Sequence, residues 1–369
     1  MKLPTFDELA DDQLTIWDHD PDKALFVLGP PGSGKTSLAI WRARYVSTAP
    51  LSQSVKIITR NRLLASSAEQ VSRADADRRV VSATTMHRFV SSDYYARFND
   101  FAPEPQRFIY DWARIIAKYE TAKIVPTLGH LIIDEGQNLP PGFFAWAVRF
   151  GAKVVTVFAD ENQTTMSEHS SIADILSAGL PAPVWLSKNY RNCEEIVELM
   201  EQFHRSRVLP PASVRVDPSG ERPSIRSIGD WHALVSMVTT RFRNRGSSIG
   251  VIVEKSSDVA ELRAKLSSAL DKVRIDSYTH ESPSGTEALI KLRDPGVTVL
   301  TGESAIGLEF ESVFLQDLAR SLPIGTDAER RRLYMLCARA SKSLVLVNGT
   351  TPLTAAQLAS LPDARYLER

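Results

Sequence analysis

Cysteine is almost missing from this chain of 369 residues, which holds Cys193 and Cys337 and no others. Their separation fits no zinc-site spacing, and two thiols in so long a chain do not form a disulfide framework. A reducing cytoplasm is the expected compartment. No apolar run approaches the length of a membrane span, so no membrane partner is expected. Asp7, Glu8, Asp11 and Asp12 stand where the apolar core of a leader would lie, and no leader is expected either. Net charge is missing too. Lysine plus arginine balance aspartate plus glutamate at 44 each, which excludes a global basic field. Contact with nucleic acid would have to come from a local basic groove. There is no internal repeat and no low-complexity tract. What is left is an ordinary globular composition, long enough for two domains with a core each.

Against these absences stands Gly29-Pro30-Pro31-Gly32-Ser33-Gly34-Lys35-Thr36, which fits G-x-x-x-x-G-K-[ST] at every fixed position. The apolar run 24–28 reads as a buried strand and the residues from Ser37 onward as a helix, the context this motif needs. Glycines let successive backbone N–H groups point into one anion-sized nest. The helix start adds free N–H groups and a positive dipole end. Lys35 is placed to reach the β- and γ-phosphates of ATP, and the Thr36 hydroxyl to ligate Mg²⁺. The bland alternative is a glycine-rich turn with an accidental lysine, and the flanking strand and helix argue against it.

Thr5-Phe6-Asp7-Glu8 has the capping-box pattern and predicts a helix over 9–17 that carries Gln13. Strands are expected at 55–59 and 80–84. Arg60, Asn61 and Arg62 follow the first; Thr84, His87 and Arg88 stand at or after the end of the second. Such residues sit where open α/β sheets bind ligands, outside the carboxyl ends of the strands. A strand from His130 ends in Asp134-Glu135. Asp134 is placed to hold Mg²⁺, and Glu135 to accept a proton from an attacking water. A fifth strand, 153–158, leads into Asp160-Glu161-Asn162-Gln163. Unbroken apolar strands alternating with helices predict an α/β fold with a mostly parallel sheet covered on both faces. The boundary is expected at Gly179-Leu180-Pro181-Ala182-Pro183, dividing 1–181 from 182–369. The second part repeats the pattern, with strands at 184–186, 249–253, 297–300, 312–315 and 343–347. Its helices are expected from 193, at 259–270 and at 328–340. It has no phosphate loop, and its arginines Arg191 and Arg339 are candidate cations for phosphoryl transfer.

In order and spacing these pieces resemble superfamily 1 helicases of the UvrD/Rep type, over 9–347. The resemblance implies two tandem RecA-like lobes that close on ATP. Residues 9–13 are similar to the Q motif, which implies that Gln13 reads adenine. Asp134-Glu135-Gly136-Gln137 has the D-E-x-Q form of motif II. Asp160-Glu161-Asn162-Gln163 resembles motif III, with Gln163 sensing the γ-phosphate. Asn189-Tyr190-Arg191 is similar to motif IV, where the tyrosine stacks on adenine and the arginine meets the γ-phosphate. Gly307-Leu308-Glu309-Phe310 matches the end of motif V, whose glutamate touches the ribose. Arg332-Leu333-Tyr334 through Arg339-Ala340 looks like motif VI, with Arg339 as a second arginine finger.

The departures from that family are specific. Ile58-Thr59-Arg60-Asn61 lacks the aromatic of motif Ia, Thr164-Thr165-Met166 replaces the Tyr and Trp after motif III, and Glu303 and Ile306 replace a His and a Lys of motif V. Base stacking contributes on the order of 1–3 kcal/mol per base, so a strand would be gripped differently here. Accessory helicase domains are nearly absent, with room for short inserts near 108–119 and 278–294. The expectation is a DNA-dependent ATPase that moves along single strands, DNA rather than RNA, through Arg60, Asn61, Arg62, Thr84, His87 and Arg88. An ATP-driven switch on a nucleic acid or a protein partner such as a nuclease, without unwinding, stays open beside it. A small-molecule phosphotransferase is disfavoured by Gln163, Arg191 and Arg339 in family order.

Overall fold

The computed structural model describes residues 3, 5–48, 50–73, 81–160, 169–204, 213–214, 220–292 and 294–369. Gln163 and Met166 lie outside these described residues. The chain divides into two compact units, Lys2–Gly29 with Gly34–Leu186, and Ser187–Arg369 with Pro30–Ser33.

Among the described residues the first unit has six strands: β1 (Leu25–Leu28), β2 (Val55–Thr59), β3 (Ala83–Thr85), β4 (His130–Ile133), β5 (Val154–Ala159) and β6 (Val184–Trp185). They form one parallel sheet in the order β3-β2-β4-β5-β1-β6. Every residue of β1 and β4 is buried, as expected for strands covered on both faces. Because all pairings are parallel, the carboxyl ends of all six strands share one edge of the sheet. Side chains at those ends start the covering helices. The Asn61 side-chain Oδ1 accepts from the Leu64 N–H at 2.7 Å at the start of the helix Arg62–Arg73. Thr85 caps Met86–Phe98 by accepting from the Arg88 N–H. Between β3 and β4 the helix Trp112–Thr121 is anchored by Tyr119, whose ring lies 5.0 Å from Phe98 and 5.7 Å from Trp146.

The second unit is built the same way. A two-stranded pair joins β7 (Lys188–Asn189) to β8 (Ser213–Val214). Among the described residues its main sheet has six parallel strands: β9 (Ser224–Ser227), β10 (Ser248–Val253), β11 (Ile275–Tyr278), β12 (Gly296–Thr301), β13 (Phe310–Leu315) and β14 (Ala340–Asn348). Their order is β11-β12-β10-β13-β14-β9. Two parallel six-stranded sheets flanked by helices make an α/β fold consistent with tandem RecA-like lobes.

The structure differs from the sequence-based expectations in three places. Val184–Trp185 pairs with Val27 and Leu28, so that strand closes the first sheet and the division falls after 186, not after 181. The helix expected from residue 9 starts at Asp11. Glu8 does accept from the Thr5 N–H at 2.7 Å, but the turn it closes is the short 3₁₀ turn Phe6–Glu8. Strands β9 and β11 and the helix Trp231–Arg245 were not expected at all. Both strands are edge strands with polar residues in alternation, which hides them from a search for apolar runs.

One buried titratable group in the first unit sets a pH dependence. His130 is fully buried at the start of β4, with its Nε2 2.8 Å from the Thr156 hydroxyl, which also accepts from Arg42 Nε at 2.9 Å. Burial, and then the Arg42 charge, push its pKa down to about 3. The folded protein therefore keeps His130 neutral while the unfolded chain protonates it below about pH 6.5, so stability falls as pH drops through that window. This group alone contributes a slope of up to about 1.4 kcal/mol per pH unit. Denaturant titrations between pH 7 and 4.5 should show a shallower loss for His130→Gln than for the wild type. Equal slopes would contradict this account.

Candidate phosphate and metal site

The site grows from the turn between β1 and the helix Lys35–Ser47. Gly32 and Gly34 have φ of 76° and 91°, the left-handed region that a side chain disfavours. A Cβ on Gly34 would lie 2.6 Å from Gln13 Nε2, so the Gln13 amide packs directly against the loop. Gln13 is itself buried, and its Oε1 accepts from the Ala10 N–H at 3.1 Å. The amide is thus fixed by its own helix at one end and by the loop at the other.

Lys35 is 6% exposed. Its ammonium donates to the Gly29 carbonyl at 2.7 Å and lies 3.8 Å from the Asp160 carboxylate. The Thr36 hydroxyl donates to Asp134 Oδ2 at 2.7 Å, joining residues 98 positions apart. A hydroxyl and a carboxylate in contact are the hard-oxygen donors that Mg²⁺ takes, with phosphate and water completing the octahedron. No cluster of three or more His, Cys, Asp or Glu able to hold a metal occurs among the described residues. Burial, and then the charge of Glu135, push the Asp134 carboxyl well above its ordinary range, while the Thr36 bond and Lys35 pull against them.

Glu135 sits at φ 58°, a conformation that costs a non-glycine residue about 1–3 kcal/mol and is held where surroundings over-determine it. Gln137 does that holding. Its Nε2 donates to Glu135 Oε2 at 2.6 Å, and its Oε1 accepts from the Asp160 N–H at 2.9 Å. Gln137 and Asp160 were not among the site residues taken from the sequence, although both stand inside the motifs quoted there. The buried ends of β4 and β5 were the available signal.

The structure brings Gln13, Gly34, Lys35, Thr36, Asp134 and Glu135 together in the first unit. Arg60, Asn61, Arg62, Thr84, His87 and Arg88 lie at the ends of β2 and β3, on the same edge but beyond β4. Their side chains are engaged unequally. Asn61 caps a helix, and His87 Nε2 lies 2.7 Å from the Phe108 carbonyl with its ring 5.2 Å from Tyr110. Arg88 is exposed.

In the second unit Arg191 Nε pairs with Glu309 at 2.6 Å. Burial raises the Glu309 carboxyl, but the Arg191 charge, with Arg339 adding to it, holds it well below the usual carboxylate range. Arg339 is 1% exposed and donates to the carbonyls of Met335 at 2.8 Å and Leu308 at 3.2 Å. It thereby satisfies a carbonyl near the end of the helix Asp327–Cys337. Tyr190, half-buried, precedes this group.

Residues 14–167 match the AAA domain family, which covers most of the first unit and agrees with nucleotide binding by its phosphate loop. No curated protein matches the chain. Among solved structures, the C-terminal domain of a possible DNA helicase from Lactobacillus plantarum WCFS1 is similar at 20% identity, over 48% of this chain and 96% of that one, with a TM-score of 0.34. A likeness that weak carries no argument about fold or activity. No helix among the described residues is long and apolar enough to cross a membrane.

The loop geometry makes a discriminating prediction. Gly34→Ala adds a methyl group both at positive φ and against Gln13, and should lower stability by more than about 1 kcal/mol and cut nucleotide affinity at least tenfold. Gly285 has φ 98° with nothing within 4 Å of an added Cβ. Gly285→Ala should therefore cost similar stability yet leave nucleotide affinity unchanged. Titration with a fluorescent ATP analogue beside denaturant unfolding measures both. Unchanged nucleotide affinity in Gly34→Ala would contradict the assignment.

Proposed function

We propose that this chain is a Mg²⁺-dependent ATPase driven by single-stranded nucleic acid, with DNA as the strand. The observation that supports it most is the Thr36–Asp134 hydrogen bond beside Lys35, which gathers the phosphate cation and both metal donors at one sheet edge. Mg²⁺ held by Thr36 and Asp134 would supply charge neutralisation on the β- and γ-phosphate oxygens. Lys35 exchanges the Gly29 carbonyl for a phosphate oxygen when ATP binds. Glu135, aimed by Gln137, takes the proton of the attacking water. Gln13 and Tyr190 hold the adenine and Glu309 the ribose, while Gln163, Arg191 and Arg339 meet the γ-phosphate and offset charge as it develops. The residues after β2 and β3 contact the strand backbone, with Arg60, Arg62 and Arg88 carrying the charge.

A second reading, an ATP-driven switch on a nucleic acid or a protein partner such as a nuclease, has its own support. Asn61 and His87, two of the six strand candidates, already hold partners within the first unit. ATP hydrolysis with and without single strands separates the motor from a switch that answers to a protein partner, because the motor needs strand stimulation and that switch does not.

Turnover should fall by about 10²–10⁴-fold in Glu135→Gln while ATP still binds, since the shape is kept and the base is lost. Lys35→Ala should lose both binding and turnover. Arg191→Ala should lower turnover by roughly 10³–10⁵-fold with a modest change in affinity, the range known for arginine fingers. Wild-type turnover in any of the three would overturn the assigned roles.

A further inference from the structure

The segment between the helices Met86–Phe98 and Trp112–Thr121 folds back onto His87, in the first helical turn after β3. Its tip is a tight turn, closed by the Ile109 N–H donating to the Gln106 carbonyl at 2.8 Å. Arg107 and Phe108 are the two central residues of that turn. Phe108 holds φ at 68°. Glycine or asparagine fills such a turn position readily, whereas a bulky residue there is an outlier. The conformation is secured from both sides. Glu104 accepts from the Phe108 N–H, and His87 Nε2 donates to the Phe108 carbonyl at 2.7 Å. His87 is fixed in turn by Tyr110, whose hydroxyl donates to the His87 carbonyl at 3.1 Å.

The turn presents a ring that the core does not use. Phe108 is 57% exposed, so packing does not explain a phenylalanine where glycine would fit. The Arg107 guanidinium lies 4.9 Å from the centre of that ring, and Arg88, exposed, follows His87 on its helix. Among the described residues neither guanidinium is paired with a carboxylate, so both charges are open to an anion. An exposed aromatic beside unpaired arginines is the combination that holds single-stranded nucleic acid. The ring takes a base and the cations take the flanking phosphates. Exposure alone would favour Phe101, at 82%. That ring, however, follows the far end of the helix Met86–Phe98, beside Asp100, which pairs with Lys118 at 2.8 Å.

We propose that Phe108 is a stacking platform for one base of a single strand, with Arg107 and Arg88 on the adjacent phosphates. This rests on the strand-dependent reading above and adds Phe108 and Arg107 to its strand candidates. His87 contributes by holding the platform in place.

The test measures binding of oligothymidine and of an abasic strand of the same length to the full chain, by fluorescence anisotropy. The wild type should bind oligothymidine about tenfold or more tightly than the abasic strand, the scale of one base–aromatic stack. Phe108→Gly should remove that difference and leave abasic affinity unchanged. Its unfolding midpoint should stay or rise, because glycine suits the positive φ. Phe108→Trp should keep wild-type affinity and add tryptophan fluorescence that is quenched on binding. Arg107→Ala should weaken both strands alike and reduce the slope of log affinity against log salt by about 0.7. Phe101→Ala should change neither affinity. Oligothymidine affinity unmoved by Phe108→Gly, or lost equally on the abasic strand or in Phe101→Ala, would overturn the proposal and leave strand-dependent ATP hydrolysis standing. A wild type that binds neither strand, with ATP hydrolysis indifferent to strands, would overturn that reading and this proposal with it.

Discussion

The hydrogen bond from Thr36 to Asp134 is the contact on which the candidate site depends. It exists because the first sheet is parallel. β1 and β4 are separated by β5, so their carboxyl ends are two strand spacings apart, about 10 Å. The turn 29–34 curls back over the sheet edge and starts its helix at Lys35, which sets the Thr36 hydroxyl above the end of β4. The glycines make that curl possible, with Gly34 in the left-handed region as the residue before the helix. Lys35 then meets Asp160 at the end of the intervening strand, and Gln137 ties the ends of β4 and β5 together. Every functional contact in this unit follows from strand order and the direction of the chain.

This arrangement is a poor way to gain stability. Lys35, Asp134, Glu135 and Asp160 are all 6% exposed or less. Asp160 lies 3.8 Å from the Lys35 ammonium, and taking charged groups out of water costs several kcal/mol per ion. The strain shows in Asp134, pushed up by burial and by the adjacent Glu135, and in the left-handed backbone at Glu135. A cation beside the Asp134 carboxylate would favour its charged form, the role proposed here for Mg²⁺. The second unit shows the contrasting solution. Arg191 and Glu309 neutralise one another at 2.6 Å, and Arg339 spends its donors on backbone carbonyls. Their proposed role in turnover therefore requires exchanging those partners for phosphate.

Much of this was legible in the sequence. The phosphate loop, the Asp134-Glu135 pair and the buried strands β1, β2, β4 and β5 announce themselves by composition, because parallel strands covered on both faces read as unbroken apolar runs. Edge strands do not. β9 and β11 carry Arg226 and Asp276 among few apolar residues, and β6 is only two residues long, so its pairing with β1 leaves no local signal. The helix Trp231–Arg245 did carry one, with Asp230 capping its start and Gly246 in the left-handed region at its end. Contacts between distant positions were beyond reading from one sequence. That Gln137 bridges Glu135 and Asp160, that Asn61 is occupied as a helix cap, and that arginines gather around Glu221 all depend on which strands are neighbours.

The central claim is that Thr36 and Asp134 act as one metal-binding unit. A double-mutant cycle on Mg²⁺ affinity, with a non-hydrolysable ATP analogue present, addresses it most directly. Thr36→Ala and Asp134→Asn should each weaken Mg²⁺ binding, and the double variant should be little worse than the poorer single one. That corresponds to an interaction of about 1 kcal/mol or more, in the range measured for groups in direct contact. Losses that simply add would show that the two residues do not share an ion, and would contradict the account.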